Sequence, residues 1–320
     1  MAFAVKPGNV LLIAAACAAA VGVPALQADE APAVRPHLLG VAQVALYVHD
    51  VAASRAFYRD FLGYAEPFSL KGPDGGLRAA FIKIGDRQAV ELIPEAAPAT
   101  DRLVHIGLET DDAEAMRLYL KSRGIAVPDR VTNGRVAAAY FSVRDPDGHA
   151  VEFLQYGPDS WTTRDFGQHL PDTRLSPHMS HAGVIVRHLD AALAFYRDVL
   201  GCTETWRGSG DGRQLSWVTV RVPDGSDWIE LMLYQKMPDL AHLGVSHHLC
   251  LEVPDVAKAG AILGQRPLPA GAVLSTKIAV GRNRKRQIRA FDPDGTRVEI
   301  MEAATIDGKP ATSSPLPPPE

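Results

Sequence analysis

The sequence predicts an α+β protein of two tandem halves, each a pair of strand–helix–three-strand units. Three observations lead there: a pentapeptide that recurs, a turn motif that recurs, and a strand-and-helix pattern that occurs four times. AFYRD stands at 56–60 and again at 194–198, and the flanks agree, VHDVAASRAFYRDFLGYAE against VRHLDAALAFYRDVLGCTE. Each copy reads as an apolar strand end, a polar turn and an amphipathic helix with Phe and Tyr on its buried side. Each closes on Leu-Gly, which suits a helix C-terminus. The turn motif is Asp-Pro-Asp-Gly, in RDPDGHAVEFLQY from Arg144 and FDPDGTRVEIME from Phe291. Such a turn feeds a strand, and the fourth residue after each glycine is a glutamate, Glu152 and Glu299.

Composition sets the outer bounds. With 320 residues, 47% apolar and 22% charged, the chain is globular rather than disordered or fibrous. Lys and Arg number 33 against 37 Asp and Glu, a net charge of −4, and no block of like charge could serve as a nucleic-acid arm. Nucleic acid is therefore not an expected partner. Three cysteines are too few for a disulfide-stapled scaffold.

In chain order, residues 1–28 read as a secretory signal: one early cation, Lys6, an Ala-rich apolar run over 10–23, then small residues ending at Ala28. The run is shorter and weaker than the roughly 20 strongly apolar residues of a membrane span. A secreted or periplasmic protein with no membrane association after cleavage is expected; the alternatives are an uncleaved anchor, or lipidation at Cys17, which lacks the expected leucine three residues earlier. Cleavage would leave Cys202 and Cys250, read as two buried, unbridged thiols. The four units follow at about 39–94, 103–156, 179–235 and 246–302. They make a first half over 39–157 and a second over 178–303, joined by a polar linker, 158–177. Residues 304–320, ending ATSSPLPPPE, read as a disordered proline-rich tail.

The first strands of the units, VAQVALYV, LVHIGLET, MSHAGVIV and SHHLCLEV, alternate with period two. Val44 and Leu46, Ile106 and Leu108, Ala182 and Val184, and Leu249 and Leu251 would pack under the helices. The opposite face then begins with Gln43, His105, His181 and His248. The last strands carry Glu91, Glu152, Glu230 and Glu299 between apolar neighbours. A carboxylate so placed is costly to bury unless something compensates it, and a divalent metal does. Two candidate sites result, Gln43/Glu91/His105/Glu152 and His181/Glu230/His248/Glu299. Imidazole with carboxylate suits Zn, Ni, Co, Mn or Fe(II). Cys250 shares the His248 face, and Arg289 belongs to a cationic stretch with Arg282, Arg284, Lys285 and Arg286; either is a candidate substrate contact, the alternative for the cations being a guarded edge strand.

With these motifs the chain resembles the vicinal oxygen chelate superfamily, which holds glyoxalase I, type I extradiol dioxygenases and bleomycin resistance proteins, over about residues 39–303. The resemblance implies paired βαβββ units closing an incomplete barrel around a metal, with the eight residues above as ligands. It implies a metal-dependent lyase or isomerase of the glyoxalase type. The metal chelates a small oxygenated substrate through adjacent oxygens and stabilises the anion that forms, with Glu230 and Glu299 available as bases. An extradiol dioxygenase using Fe(II) on His181, His248 and Glu299 is the first alternative. The signature of that group has a tyrosine where this chain has Arg289, and Glu230 would close a site that dioxygenases keep open. The second alternative is a binding or resistance protein without turnover. The expected partner is a small molecule, and the expected state a monomer or homodimer.

Overall fold

The computed structural model describes residues 33–97, 101–234, 236–239, 243 and 246–319. The signal expected over 1–28, with Cys17, lies outside the described residues. The first half runs β1 (Leu38–Val48), α1 (Val51–Arg55), β2 (Ala65–Lys71), β3 (Leu77–Gly85), β4 (Gln88–Pro94), β5 (Leu103–Thr110), α2 (Ala113–Ser122), β6 (Thr132–Asn133), β7 (Ala139–Arg144) and β8 (Ala150–Gln155). A short α3 (Trp161–Arg164) lies in the linker. The second half repeats the order: β9 (Met179–Val186), α4 (Leu189–Leu193), β10 (Thr203–Gly208), β11 (Trp217–Arg221), β12 (Trp228–Leu233), β13 (His248–Val253), α5 (Val256–Gly264), β14 (Val273–Val280), β15 (Lys285–Phe291) and β16 (Arg297–Thr305).

Each half is one eight-stranded sheet, ordered β2-β3-β4-β1-β5-β8-β7-β6 and β10-β11-β12-β9-β13-β16-β15-β14. The first sheet curls into a half-barrel. The two units of a half meet through antiparallel first strands, β1 with β5 and β9 with β13, and each first strand pairs in parallel with its own last strand. That order puts the strands expected to carry ligands side by side at the centre of each sheet.

The helices in units one and three begin as α-turns and widen into π-helical turns over Ala56–Phe61 and Ala194–Val199, the AFYRD copies themselves. Leu62 N–H reaches Phe57 O, and Leu200 N–H reaches Phe195 O, five residues back. The wider turn lets Phe57, Tyr58 and Phe61 all face inward. Gly63 and Gly201 end these segments at φ 85° and 78°, a left-handed stop that glycine adopts without a Cβ penalty.

One contiguous apolar core spans both halves, and the eight strand residues expected beneath the helices are all buried in it or against it. The recurring motifs also clasp the halves together. Tyr58, in the first AFYRD, donates its hydroxyl to Asp292 of the second Asp-Pro-Asp-Gly at 3.1 Å; Tyr196, in the second AFYRD, donates to Asp145 of the first at 2.9 Å. The other aspartate of each turn accepts a backbone N–H just past the opposing first strand, His49 on Asp294 and Arg187 on Asp147. Both motifs therefore hold one half to the other.

The two turns differ in one residue, with an electrostatic consequence. His149 follows the first turn and its ring lies 2.8 Å from Asp145, where Thr296 follows the second. Burial would raise the Asp145 carboxyl, but His149 and Tyr196 outweigh it and hold it below the usual range. Among the described residues no cation pairs with Asp292, and burial pushes it up to about 7.

The proline-rich C-terminus differs from the disorder expected of it. Ser314 N–H donates to Arg207 O, Leu215 N–H to Pro317 O, and the Trp206 indole to Thr312 O, so the segment lies along β10, an edge strand. Leu316 packs against the core. Proline cannot build a sheet interior, but the open donors and acceptors of an edge strand give an extended segment partners that composition does not reveal. Among the described residues no helix is long and apolar enough to cross a membrane.

Candidate metal centres

In the second half the four expected residues stand on four neighbouring strands, β12, β9, β13 and β16. Register arranges them in two rows on one face. Trp228, His181, Cys250 and Glu299 lie across from one another in the first row, with Arg289 beyond; Glu230, Gly183 and His248 form the second, with Arg297 beyond. Their donors converge. His181 Nε2 lies 3.1 Å from His248 Nε2, His248 Nε2 lies 3.4 Å from Glu230 Oε2, and both imidazoles lie 3.8 Å from Glu299 Oε2. Donors of a common metal at roughly 2.0–2.2 Å sit about this far apart.

Gly183 makes the convergence possible. A Cβ there would meet the His248 ring at 2.0 Å, so the ring folds over the gap that glycine leaves. His248 Nδ1 lies between the Ser246 carbonyl at 2.9 Å and the Arg297 guanidinium at 2.6 Å, which hold the ring with Nε2 toward the centre. Trp228 stacks on His181 at 4.8 Å and fixes the plane of that ring. Burial pushes the His181 imidazole down to about 4, so it is neutral and able to ligate. Burial alone would raise Glu299, but Arg297 at 3.5 Å, the neighbouring histidines and Arg289 at 3.9 Å hold its carboxyl below the usual range.

The first half places Gln43, Glu91, His105 and Glu152 in the corresponding rows, with Ala89, Ala150 and Ser142 where the second half has Trp228, Arg297 and Arg289. Gly107 takes the place of Cys250, and Ala45 takes the place of Gly183. His105 Nε2 lies 3.5 Å from Glu91 Oε2 and 3.6 Å from Glu152 Oε1, yet it is buried and makes no hydrogen bond. An orphaned imidazole nitrogen between two carboxylates fits a cation site. Burial pushes His105 down to about 4 and Glu152 up to about 7; burial and the neighbouring Glu152 push Glu91 up to about 8. Among the described residues, the groups of three donors lying within 4.8 Å of one another are both in the second half.

The eight expected residues thus stand on one face of each sheet, four in each half, and Gln43, Glu91, His105 and Glu152 line one cavity. Arg289 reaches the second site at Glu299. Cys250 is fully buried beside His181 and Glu299, and burial pushes its thiol far up, so it packs as a small apolar group and not as a thiolate. Cys202 is also buried and free. Sequence reasoning missed Arg297 and Trp228, and placed Lys285 only within the cationic stretch. The first two stand two residues before Glu299 and Glu230, and period-two parity alone would have put them on the site's face. Lys285 lies over the Trp228 ring at 4.9 Å, a neighbour that only the fold supplies.

Above the second centre is a cavity of about 280 Å³ whose lining includes Trp206, Trp228, Glu230, Lys285 and, from the C-terminal segment, Pro310 and Ala311. The first cavity is about 540 Å³. Deleting residues 310–320 is expected to bare Trp206 and shift tryptophan emission to longer wavelength with little change in melting temperature. Unaltered emission would place the segment elsewhere in solution.

A family model described as the Glyoxalase/Bleomycin resistance protein/Dioxygenase superfamily matches residues 40–153 and 178–300. The uncharacterized protein YwbC of Bacillus subtilis (strain 168) is 30% identical over 118 residues, 34% of this chain and 92% of that one. Among solved structures, the 2,3-dioxygenase LapB of Pseudomonas sp. KL28 superposes with TM-score 0.62 at 18% identity, over 88% of this chain and 97% of that one. An extradiol ring-cleaving dioxygenase of B. fuscum gives 0.62 at 15%, over 88% and 76%. At such identities the structural likeness establishes the fold alone. The family match, falling once on each eight-stranded sheet, identifies the chain as a member of the glyoxalase/bleomycin resistance/dioxygenase superfamily with two tandem domains.

Proposed function

We propose that the second half is the centre of a divalent-metal-dependent lyase or isomerase acting on a small substrate with adjacent oxygens. The observation that carries this reading is the convergence of four protein donors from four adjacent strands, His181, Glu230, His248 and Glu299. Bound there, a divalent ion supplies Lewis-acid stabilisation of an anion developing on two neighbouring oxygens. The protein's own residues divide the remaining work. Glu299, held ionised by Arg297 and Arg289, is a poor proton acceptor and serves as an anionic ligand. Glu230 faces the cavity and is the candidate base for a proton on the substrate carbon. Lys285 lines the same cavity and Arg289 stands half-exposed beside Glu299, both placed to orient an anionic substituent. Trp206, Trp228 and the C-terminal segment narrow the space and limit water. Export from the cytoplasm belongs to the same proposal, supported by the leader-like first 28 residues.

The test is metal analysis of the purified protein. At least one tightly held divalent ion per chain is expected, and His248→Ala with Glu299→Ala should lose one equivalent. A metal-free wild type of full stability would sink the reading. Ni, Co or Zn supports lyase or isomerase chemistry; Fe(II) together with O₂ uptake on catechols would favour ring cleavage instead, against the fourth donor that Glu230 adds.

A further inference from the structure

The first cavity carries a feature the metal reading does not use. Its walls are apolar, with Leu70, Leu77, Phe81, Ile93, Val136 and Leu154, and its floor holds Glu91, His105 and Glu152. Two arginines also line it, Arg78 at the start of β3 and Arg135 in the loop before β7. They come from the two different units of this half. Four other arginines of the half are matched, Arg55 with Glu66, Arg87 with Glu109, Arg102 with Glu95 and Arg117 with Glu114, while Arg123, Arg130 and Arg144 lie exposed and away from this cavity's lining. Among the described residues no carboxylate pairs with Arg78 or Arg135. Arg135 only stacks over Trp161, at 5.7 Å. Both guanidinium groups are solvent-exposed, whereas the floor is buried.

A cavity of this size matches the roughly 300–1,000 Å³ of small-molecule sites. Its charge layout fixes the orientation of an occupant. An anionic end is attracted by the two guanidinium forks at the mouth, which suit a planar carboxylate. A cationic end is excluded from the mouth. We propose that the first half binds a small amphipathic anion, with a flat apolar or aromatic body against Leu70, Phe81 and Val136 and a carboxylate or sulfonate held at the mouth by Arg78 and Arg135. This site stands whether or not the second half is a metalloenzyme.

Two fluorescent probes of similar body and different charge test it: 8-anilinonaphthalene-1-sulfonate, which is anionic, and N-phenyl-1-naphthylamine, which is neutral. The full-length protein is titrated with each, as is Arg78→Gln/Arg135→Gln. The wild type is expected to bind the anionic probe the more tightly. The double variant should lose at least about tenfold of that affinity, the equivalent of one charge-assisted pair, while its affinity for the neutral probe stays within about twofold. Because both side chains are exposed and unpaired, the melting temperature should not move; a variant that melts normally and still binds the anionic probe unchanged overturns the proposal. Equal losses for both probes overturn it as well, since they would show a packing effect rather than recognition of charge.

Discussion

Glu299→Gln is expected to weaken divalent-metal binding in the second half by at least about 100-fold, more than loss of a supporting hydrogen bond would cost. The exchange is nearly isosteric, so the effect is electrostatic. Glu299 is the anion at which His181, His248, Arg297 and Arg289 all point, and the arginine nitrogens lie 3.5 and 3.9 Å from its Oε1. With the charge removed, two guanidinium groups face the centre with Glu230 as the one remaining carboxylate ligand, and a dication meets net repulsion. Isothermal titration with Zn²⁺ or Ni²⁺ on metal-stripped protein measures this, and circular dichroism checks the fold. A variant whose second-half affinity stays within about tenfold of wild type would remove Glu299 from the ligand set.

Asp292→Ala is expected to destabilise the folded chain by about 3 kcal/mol or more. The carboxylate is fully buried and accepts three donors: the Tyr58 hydroxyl at 3.1 Å and the backbone N–H groups of Asp294 and Thr296 at 3.0 and 2.8 Å. Removing it leaves all three unsatisfied, at about 1–3 kcal/mol for each buried group. Tyr58→Phe deletes one donor from a carboxylate that keeps its two backbone partners and should cost only about 1 kcal/mol. Urea unfolding of the two single variants and the double variant reads both values; the double should fall short of their sum, because the residues share one interaction. An Asp292→Ala variant within about 1 kcal/mol of wild type would contradict the clasp.

The same carboxylate gives stability a pH dependence of definite sign. In the unfolded chain an aspartate loses its proton near 3.8, whereas in the folded protein Asp292 keeps it up to about 7. Between those values the folded state binds the extra proton, so this group's contribution falls as pH rises from about 4 to 7. Asp292→Asn should flatten that part of the profile. Asp145 shifts the other way. Its contribution is present above its unfolded pKa and is lost on acidification, because His149 stands where the second turn has Thr296.

The four-unit plan and the shared faces of the eight candidate residues were legible because they depend on order along the chain. Period two assigns every strand residue to a face, and a glutamate flanked by apolar residues on four last strands is a signal that repetition makes hard to dismiss. The same parity held Arg297 and Trp228, which stand two residues before Glu299 and Glu230. What the AFYRD and Asp-Pro-Asp-Gly copies do for each other was not legible, since each bonds to the opposite half. Nor was the contrast between the centres, where Gly183 in one row position and Ala45 in the equivalent one look like ordinary small strand residues until the facing histidine is known.

By itself, then, the sequence determined the number of units, the strand faces and the chemical type of both donor sets, all of which follow from local periodicity and residue chemistry. Only the tertiary structure decided how tightly each set closes, that Tyr58 and Tyr196 clasp the halves, that the proline-rich end lies along an edge strand, and that Arg78 and Arg135 share one cavity mouth. Those outcomes depend on which residues far apart in the chain become neighbours, and strand pairing and packing between the two sheets set that, at distances no local pattern encodes.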